Sequence, residues 1–92
     1  MIKSFGSKDT KALFDGQRVS RFQSFERAAV RKLEILEGAI TLAELQAAPG
    51  NRLELLQGGR KGQHSIRIKK QWRACFVWAE GNANKVEIVD YH

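Results

Sequence analysis

The final three residues, Asp90-Tyr91-His92, set a carboxylate, a phenol and an imidazole side by side. A strand running into them turns Asp90 and His92 to one face and Tyr91 to the other. An imidazole titrates near neutrality and can exchange a proton at physiological pH, whereas a phenol needs a cationic neighbour to ionise there. Upstream, Arg73 is the single charge in the otherwise apolar run Trp72–Ala79. A guanidinium in such a run must be compensated, either by a salt bridge to Asp90 or Glu87 or by a bound anion. Proton carriers beside fixed cations are what metal-free cleavage of an RNA phosphodiester requires. A base removes the 2′-hydroxyl proton, an acid protonates the leaving 5′-oxygen, and cations stabilise the charge gathering on the phosphoryl oxygens. Three polar residues at a chain end also fit a frayed terminus, so the case depends on what accompanies them.

What accompanies them is charge. The chain carries a net +6, and residues 52–73 alone hold Arg52, Arg60, Lys61, Arg67, Lys69, Lys70 and Arg73 against Glu54. The remaining nine basic residues are matched by nine acidic ones, so the whole excess lies in one stretch. A concentrated basic block points to a polyanion, with nucleic acid the leading candidate and a solvated face the alternative. Other classes are excluded by what is missing. Cys75, His64 and His92 do not make a zinc-ligand set, and one cysteine cannot form an internal disulfide, so no metal or other cofactor is expected. A lone thiol suits a reducing, cytoplasmic setting. Met1–Phe5 lacks the apolar core of a secretion signal, and the longest apolar run, Ala74–Ala79, is too short to span a bilayer, so no membrane partner is expected.

The elements that must position these groups can be read from periodicity. Ile2–Phe5 predicts a short opening strand, and Ser7 caps a brief helix through Phe14 that stops at Gly16. Phe22, Phe25, Ala29, Leu33 and Leu36 recur at spacings of three and four, predicting one amphipathic helix from Phe22 to Glu37 that ends at Gly38. Thr41-Leu-Ala-Glu44 has the spacing of a capping box, and Pro49-Gly50-Asn51 closes that helix. Beyond it the period falls to two. Leu53 and Leu55 flank Glu54, and Gly58-Gly59 marks a turn. In the next strand Ile66 and Ile68 share one face, and Ser65, Arg67 and Lys69 share the other. Lys70-Gln71 is a tight connection, Trp72–Ala79 a central strand covered on both faces, Gly81–Asn84 a turn, and Val86–Tyr91 the last strand. Trp72, Phe76 and Trp78 are expected in the core, and Cys75 as a buried small hydrophobe. The sum is a single α+β domain, 1–92, with helices on one face of a small, twisted, mostly antiparallel sheet and a basic face left open.

The motif Gly58-x-Arg60-x-Gly62, with Ser65-Ile66, Gln71-Trp72-Arg73 and the closing Asp90-Tyr91-His92, resembles HigB-type toxins of the RelE superfamily. Met1-Ile-Lys-Ser-Phe5 and the helix bearing Arg31-Lys32-Leu33 fit the same pattern, so the likeness covers nearly the whole chain. The resemblance implies a RelE-like fold and ribosome-dependent cleavage of messenger RNA. It also implies neutralisation by a HigA-type helix-turn-helix antitoxin, through which alone operator DNA would be contacted. Carried over by position, Arg60 and Arg73 would bind or stabilise phosphate, Arg73 as part of the catalytic group with Asp90, Tyr91 and His92. From the basic block itself, Lys61, Arg67, Lys69 and Lys70 are expected to join Arg60 in holding RNA phosphate. The family pattern has a histidine where this chain has Glu54 and a lysine where it has Gln57; a carboxylate of raised pKa could replace the histidine as base. Competing readings are a non-catalytic or weakly catalytic ribosome-binding protein and a protein whose basic face serves only to dock an acidic regulator.

Overall fold

The computed structural model describes residues 1–91. Helices fill the first half, and a four-stranded antiparallel sheet in the order β1-β2-β3-β4 fills the second. The strands are Glu54–Leu55 (β1), His64–Lys69 (β2), Trp72–Ala79 (β3) and Asn82–Asp90 (β4). The helices are Lys8–Phe14 (α1), Glu26–Gly38 (α2) and Leu42–Ala47 (α3), which gives the expected α+β architecture. Among the described residues, no helix is long and apolar enough to cross a membrane.

Local chemistry explains most boundaries. The Ser7 hydroxyl accepts the Thr10 amide at 3.2 Å and starts α1, and Gly16, at φ 94°, turns the chain away after it. In α3 both halves of the capping box form, Thr41 accepting the Glu44 amide while Glu44 accepts from the Thr41 amide. The long helix begins later than its periodicity suggests. Residues Ser20–Phe25 form a 3-10 helix, and α2 starts only at Glu26. The reason is packing. A 3-10 turn aligns residues three apart, so Phe22 and Phe25 both reach Trp72, at ring-centroid distances of 5.9 and 4.7 Å. Ala29, Leu33 and Leu36 continue the same buried face along α2 and meet Ile66, Ala74, Phe76 and Ile88 of the sheet.

The opening segment is less than a strand. Ile2 and Phe5 make isolated parallel bridges to Ala83 and Val86 on the outer edge of β4. Where this segment departs, the buried Thr10 hydroxyl accepts the Ile88 amide at 3.0 Å, so α1 satisfies an edge donor that a longer strand would have taken.

Two further expectations are corrected by turn and bulge geometry, and β1 proves to be short. The β3–β4 connection is the two residues Glu80-Gly81, both at positive φ (53° and 77°), a turn whose twist matches the strands. Asn82–Asn84 therefore belong to β4. At β1, Leu55 is 58% exposed while Leu56 is buried, because the ladder stops after two residues and the chain turns inward. In β2 the register shifts between Arg67, opposite Arg73, and Lys69, opposite Trp72. That bulge carries Lys69 off the Arg67 face. It stands instead beside Gln23–Ala28 on the helix side.

Candidate active site

Strand alternation leaves one sheet face free of helices, and the register fixes what stands on it. One row across the sheet reads Glu54, Ser65, Cys75, Glu87, and the next reads Arg67, Arg73, Val89. Arg73 is the centre of this surface. Its Nε–H donates to the Ser65 hydroxyl at 2.6 Å, and its Nη2 donates to the carbonyl oxygens of Arg52 and Ser65. Its Nη1 lies 3.6 Å from the Glu54 carboxylate. The compensation for this charge is thus Ser65, Arg52 and Glu54, and not the Asp90 or Glu87 salt bridge that spacing alone allowed. The Arg73 side chain is 9% exposed and that of Glu54 56%. The pair therefore consists of a fixed cation and a solvent-facing carboxylate.

A second arrangement holds the Arg52 carbonyl in place. Arg52 sits at φ 47°, a conformation disfavoured for a residue with a side chain. The neighbouring Asn51 is wholly buried and anchors it from several sides. The Asn51 side chain donates to the Leu45 carbonyl and accepts from Lys32 Nζ, and its own carbonyl accepts the Arg67 amide. Partial burial lowers the Lys32 pKa from its ordinary value, and Arg31 adds to the effect. Asn51 and Ser65 carry no ionisable group and escaped the sequence reading. Ser65 stands in the sequence only as part of the Ser65-Ile66 motif; that it lies opposite Cys75, diagonal to Arg73 and within reach of its guanidinium, requires the register.

The remaining expected residues divide by place. Arg60 reaches onto the open face and meets both Gln63 (3.3 Å) and Glu87 (3.4 Å). Arg67 stands on that face half-buried, while Lys61, after the Gly58–Arg60 turn, and Lys70, in the β2–β3 turn at φ 52°, are exposed. Asp90 pairs with Trp72, so it stands on the helix side of the strand end, away from Glu54. Tyr91 follows half-buried, its amide donating to the Gln71 carbonyl at 2.8 Å, which brings it beside the β2–β3 turn. His92 lies outside the described residues. The structure thus gathers Glu54, Arg60, Arg67 and Arg73 on one face. It puts Lys69 and Asp90 on the other and leaves Tyr91 at their shared end.

Cys75 lies in the first row but is fully buried, and burial raises its thiol pKa, against the opposing pull of Arg60 and Arg73. Burial and the raised pKa both disfavour the thiolate that a nucleophile needs. Native protein at neutral pH is expected to resist alkylation by iodoacetamide and to react only on unfolding, as mass spectrometry would register. Rapid labelling under native conditions would mean that the open face breathes. Trp72, Phe76 and Trp78 lie with the core, and His64 stacks on Phe76 at 6.1 Å, in keeping with structural roles.

Helices on one face of a small antiparallel sheet are also found in a known structure. The YoeB-YefM complex from Staphylococcus aureus contains a chain that superposes with a TM-score of 0.62. The likeness covers 100% of this chain and 98% of that one at 18% identity, so it speaks to the fold. Residues 3–92 match the family model described as the RelE-like toxin of the type II toxin–antitoxin system HigB. The chain is 50% identical over 85 residues to Toxin HigB-1 of Vibrio cholerae serotype O1, covering 90% of each. It is 31% identical over 93 residues to Endoribonuclease HigB of Proteus vulgaris, covering 100% of both. The chain belongs to the HigB-like family of RelE-type toxins of type II toxin–antitoxin systems.

Proposed function

We propose that residues 1–92 form a single cytoplasmic toxin domain, a metal-independent endoribonuclease that cuts messenger RNA on the ribosome and is neutralised by a HigA-type helix-turn-helix antitoxin. One observation carries the reading: Arg67 and Arg73 face each other across the β2–β3 ladder. Like charges directly opposite each other in a sheet are destabilising. An RNA phosphate seated between them would relieve the repulsion. With Glu54 beside Arg73, the same place offers a carboxylate to take the 2′-hydroxyl proton and guanidiniums to receive the phosphoryl charge. Arg60 flanks it as a further phosphate contact. Tyr91 and His92 are assigned to proton transfer or substrate positioning. Asp90 orients them from the helix side, and Lys61, Lys69 and Lys70 bind more distant phosphates. The Proteus relative's name as an endoribonuclease agrees with this reading.

Primer extension on translating ribosomes tests the proposal. New 5′ ends within the A-site codon support it. Lowered translation without such ends favours the weakly catalytic ribosome binder. That second reading has its own support in Arg73, whose guanidinium is already engaged by Ser65, Arg52 and Glu54.

Binding should fall steeply with salt through counterion release. Neutralising Lys69 and Lys70 together, both exposed, is expected to shallow the slope of log K against log salt while leaving the fold intact. A salt-independent binding constant would exclude phosphate contacts as the source of affinity.

A further inference from the structure

The chain reversal around Gly6 creates a cavity of about 430 Å³ lined by Lys3, Ser4, Phe5, Gly6, Ser7, Lys8 and Lys11. In sequence these lysines belong to the half whose charges balance. In the structure the balance breaks down locally, because no acid is among the residues lining the cavity; Asp15 holds Lys11, and the Glu87 Oε1, which would lie 3.4 Å from a Cβ on Gly6, is paired with Arg60. Asp9 pairs with Arg21 at 3.0 Å and Glu87 with Arg60 at 3.4 Å. Of the three lysines, Lys11 is the one ion-paired among the described residues, to Asp15 at 2.6 Å, whereas Lys3 and Lys8 line the cavity without an ion pair there. Two other cavities, along the helices, both include Glu26.

The cavity also adjoins the candidate active site. A Cβ on Gly6 would lie 3.3 Å from the Cβ of Glu87 and 3.0 Å from the Lys85 carbonyl oxygen, so this segment runs against the Glu87 end of the first site row. Neighbouring strands are about 4.8 Å apart, which puts the segment roughly 10 Å from β3 and Arg73. The Arg60–Glu87 pair sits between them, the guanidinium offsetting the carboxylate.

We propose that this cavity is a second phosphate-binding subsite, which extends the path of the RNA backbone from Arg67 and Arg73 past Arg60 to Lys3 and Lys8. The inference rests on the endoribonuclease reading, and its ligand is a phosphodiester of RNA. Ser4 and Ser7 line the same wall, and the Ser4 hydroxyl, which among the described residues only accepts, can donate to a phosphate oxygen; the Ser7 hydroxyl shares a 2.8 Å hydrogen bond with that of Thr10. Ser4 accepts the Lys85 amide at 2.9 Å, and Ser7 accepts the Thr10 amide. Lys11 serves the cavity less, being held by Asp15.

The test compares a Lys3→Gln, Lys8→Gln double variant with an Arg27→Gln, Arg31→Gln control of equal charge loss on exposed positions of α2. The probes are a single-stranded RNA oligonucleotide and purified ribosomes, each titrated over a range of salt. Loss of two phosphate contacts should reduce the salt slope by about 1.4, at roughly 0.7 per contact on single strands, and weaken binding severalfold, with the control near wild type. An effect on the oligonucleotide identifies substrate RNA at the subsite, and an effect on ribosomes alone identifies ribosomal RNA. Equal losses in variant and control would reduce the idea to bulk charge, and an unchanged slope would overturn it. Weakened antitoxin binding with RNA binding intact would also overturn it, by assigning the cavity to a protein. A wild-type protein that binds neither probe would instead sink the endoribonuclease reading itself.

Discussion

Replacement of Arg73 by methionine is expected to lower the cleavage rate by about a hundredfold to a thousandfold, the usual cost of one preorganised electrostatic donor. Methionine roughly keeps the volume of a side chain that is 9% exposed, so packing suffers little. The Ser65 hydroxyl and the Arg52 carbonyl would still lose a partner, and stability should drop by roughly 1–3 kcal/mol. Single-turnover kinetics and thermal denaturation separate the two effects. Arg73→Lys should not restore the rate. An ammonium on a flexible stem cannot meet Ser65, the Arg52 carbonyl and the Glu54 carboxylate at once, as the planar fork does. Ser65→Ala offers an intermediate case, because it keeps the charge and removes the bond that aims it. Should Arg73→Met cut RNA at the wild-type rate, the arginine serves the fold alone and the site must be sought elsewhere.

Deletion of Tyr91 and His92 is expected to abolish growth inhibition while leaving a folded protein that still binds its antitoxin. Tyr91 is tied to the sheet by its backbone, the amide donating to the Gln71 carbonyl, and it stands outside the buried core. General acid–base groups contribute about a hundredfold to ten-thousandfold in rate, enough to silence a toxin. His92→Gln keeps hydrogen bonding without a titratable proton. It should be nearly as impaired as the deletion if the imidazole is the acid. Full toxicity of His92→Gln would transfer proton chemistry to Tyr91 and Glu54. A pH–rate profile of Glu54→Gln would then decide, since a base lost from the rising limb flattens it.

Much of the architecture was legible because it is written in short-range chemistry. Ser7 and the Thr41–Glu44 box cap their own helices. The alternation of Ile66 and Ile68 sends both to the core whatever lies across the sheet. The concentration of charge in residues 52–73 is likewise a property of the chain, and so is the presence of an arginine in an apolar strand that must be answered somehow. How it is answered was not legible. Ser65 and Glu54 reach Arg73 only through the pairing of three strands, and the Arg52 carbonyl only because Asn51 ties α2, α3 and β2 together. Two locations were misread for a related reason. Strict alternation put Lys69 with Arg67, but a bulge adds one residue and reverses the face. The nine basic and nine acidic residues outside the block cancel in a sum, yet folding engages the acids elsewhere and leaves Lys3 and Lys8 around a common cavity. Periodicity and capping act within a few residues, so sequence alone determines them. Which charges meet depends on register, bulges and chain reversal, and only the tertiary structure decides those.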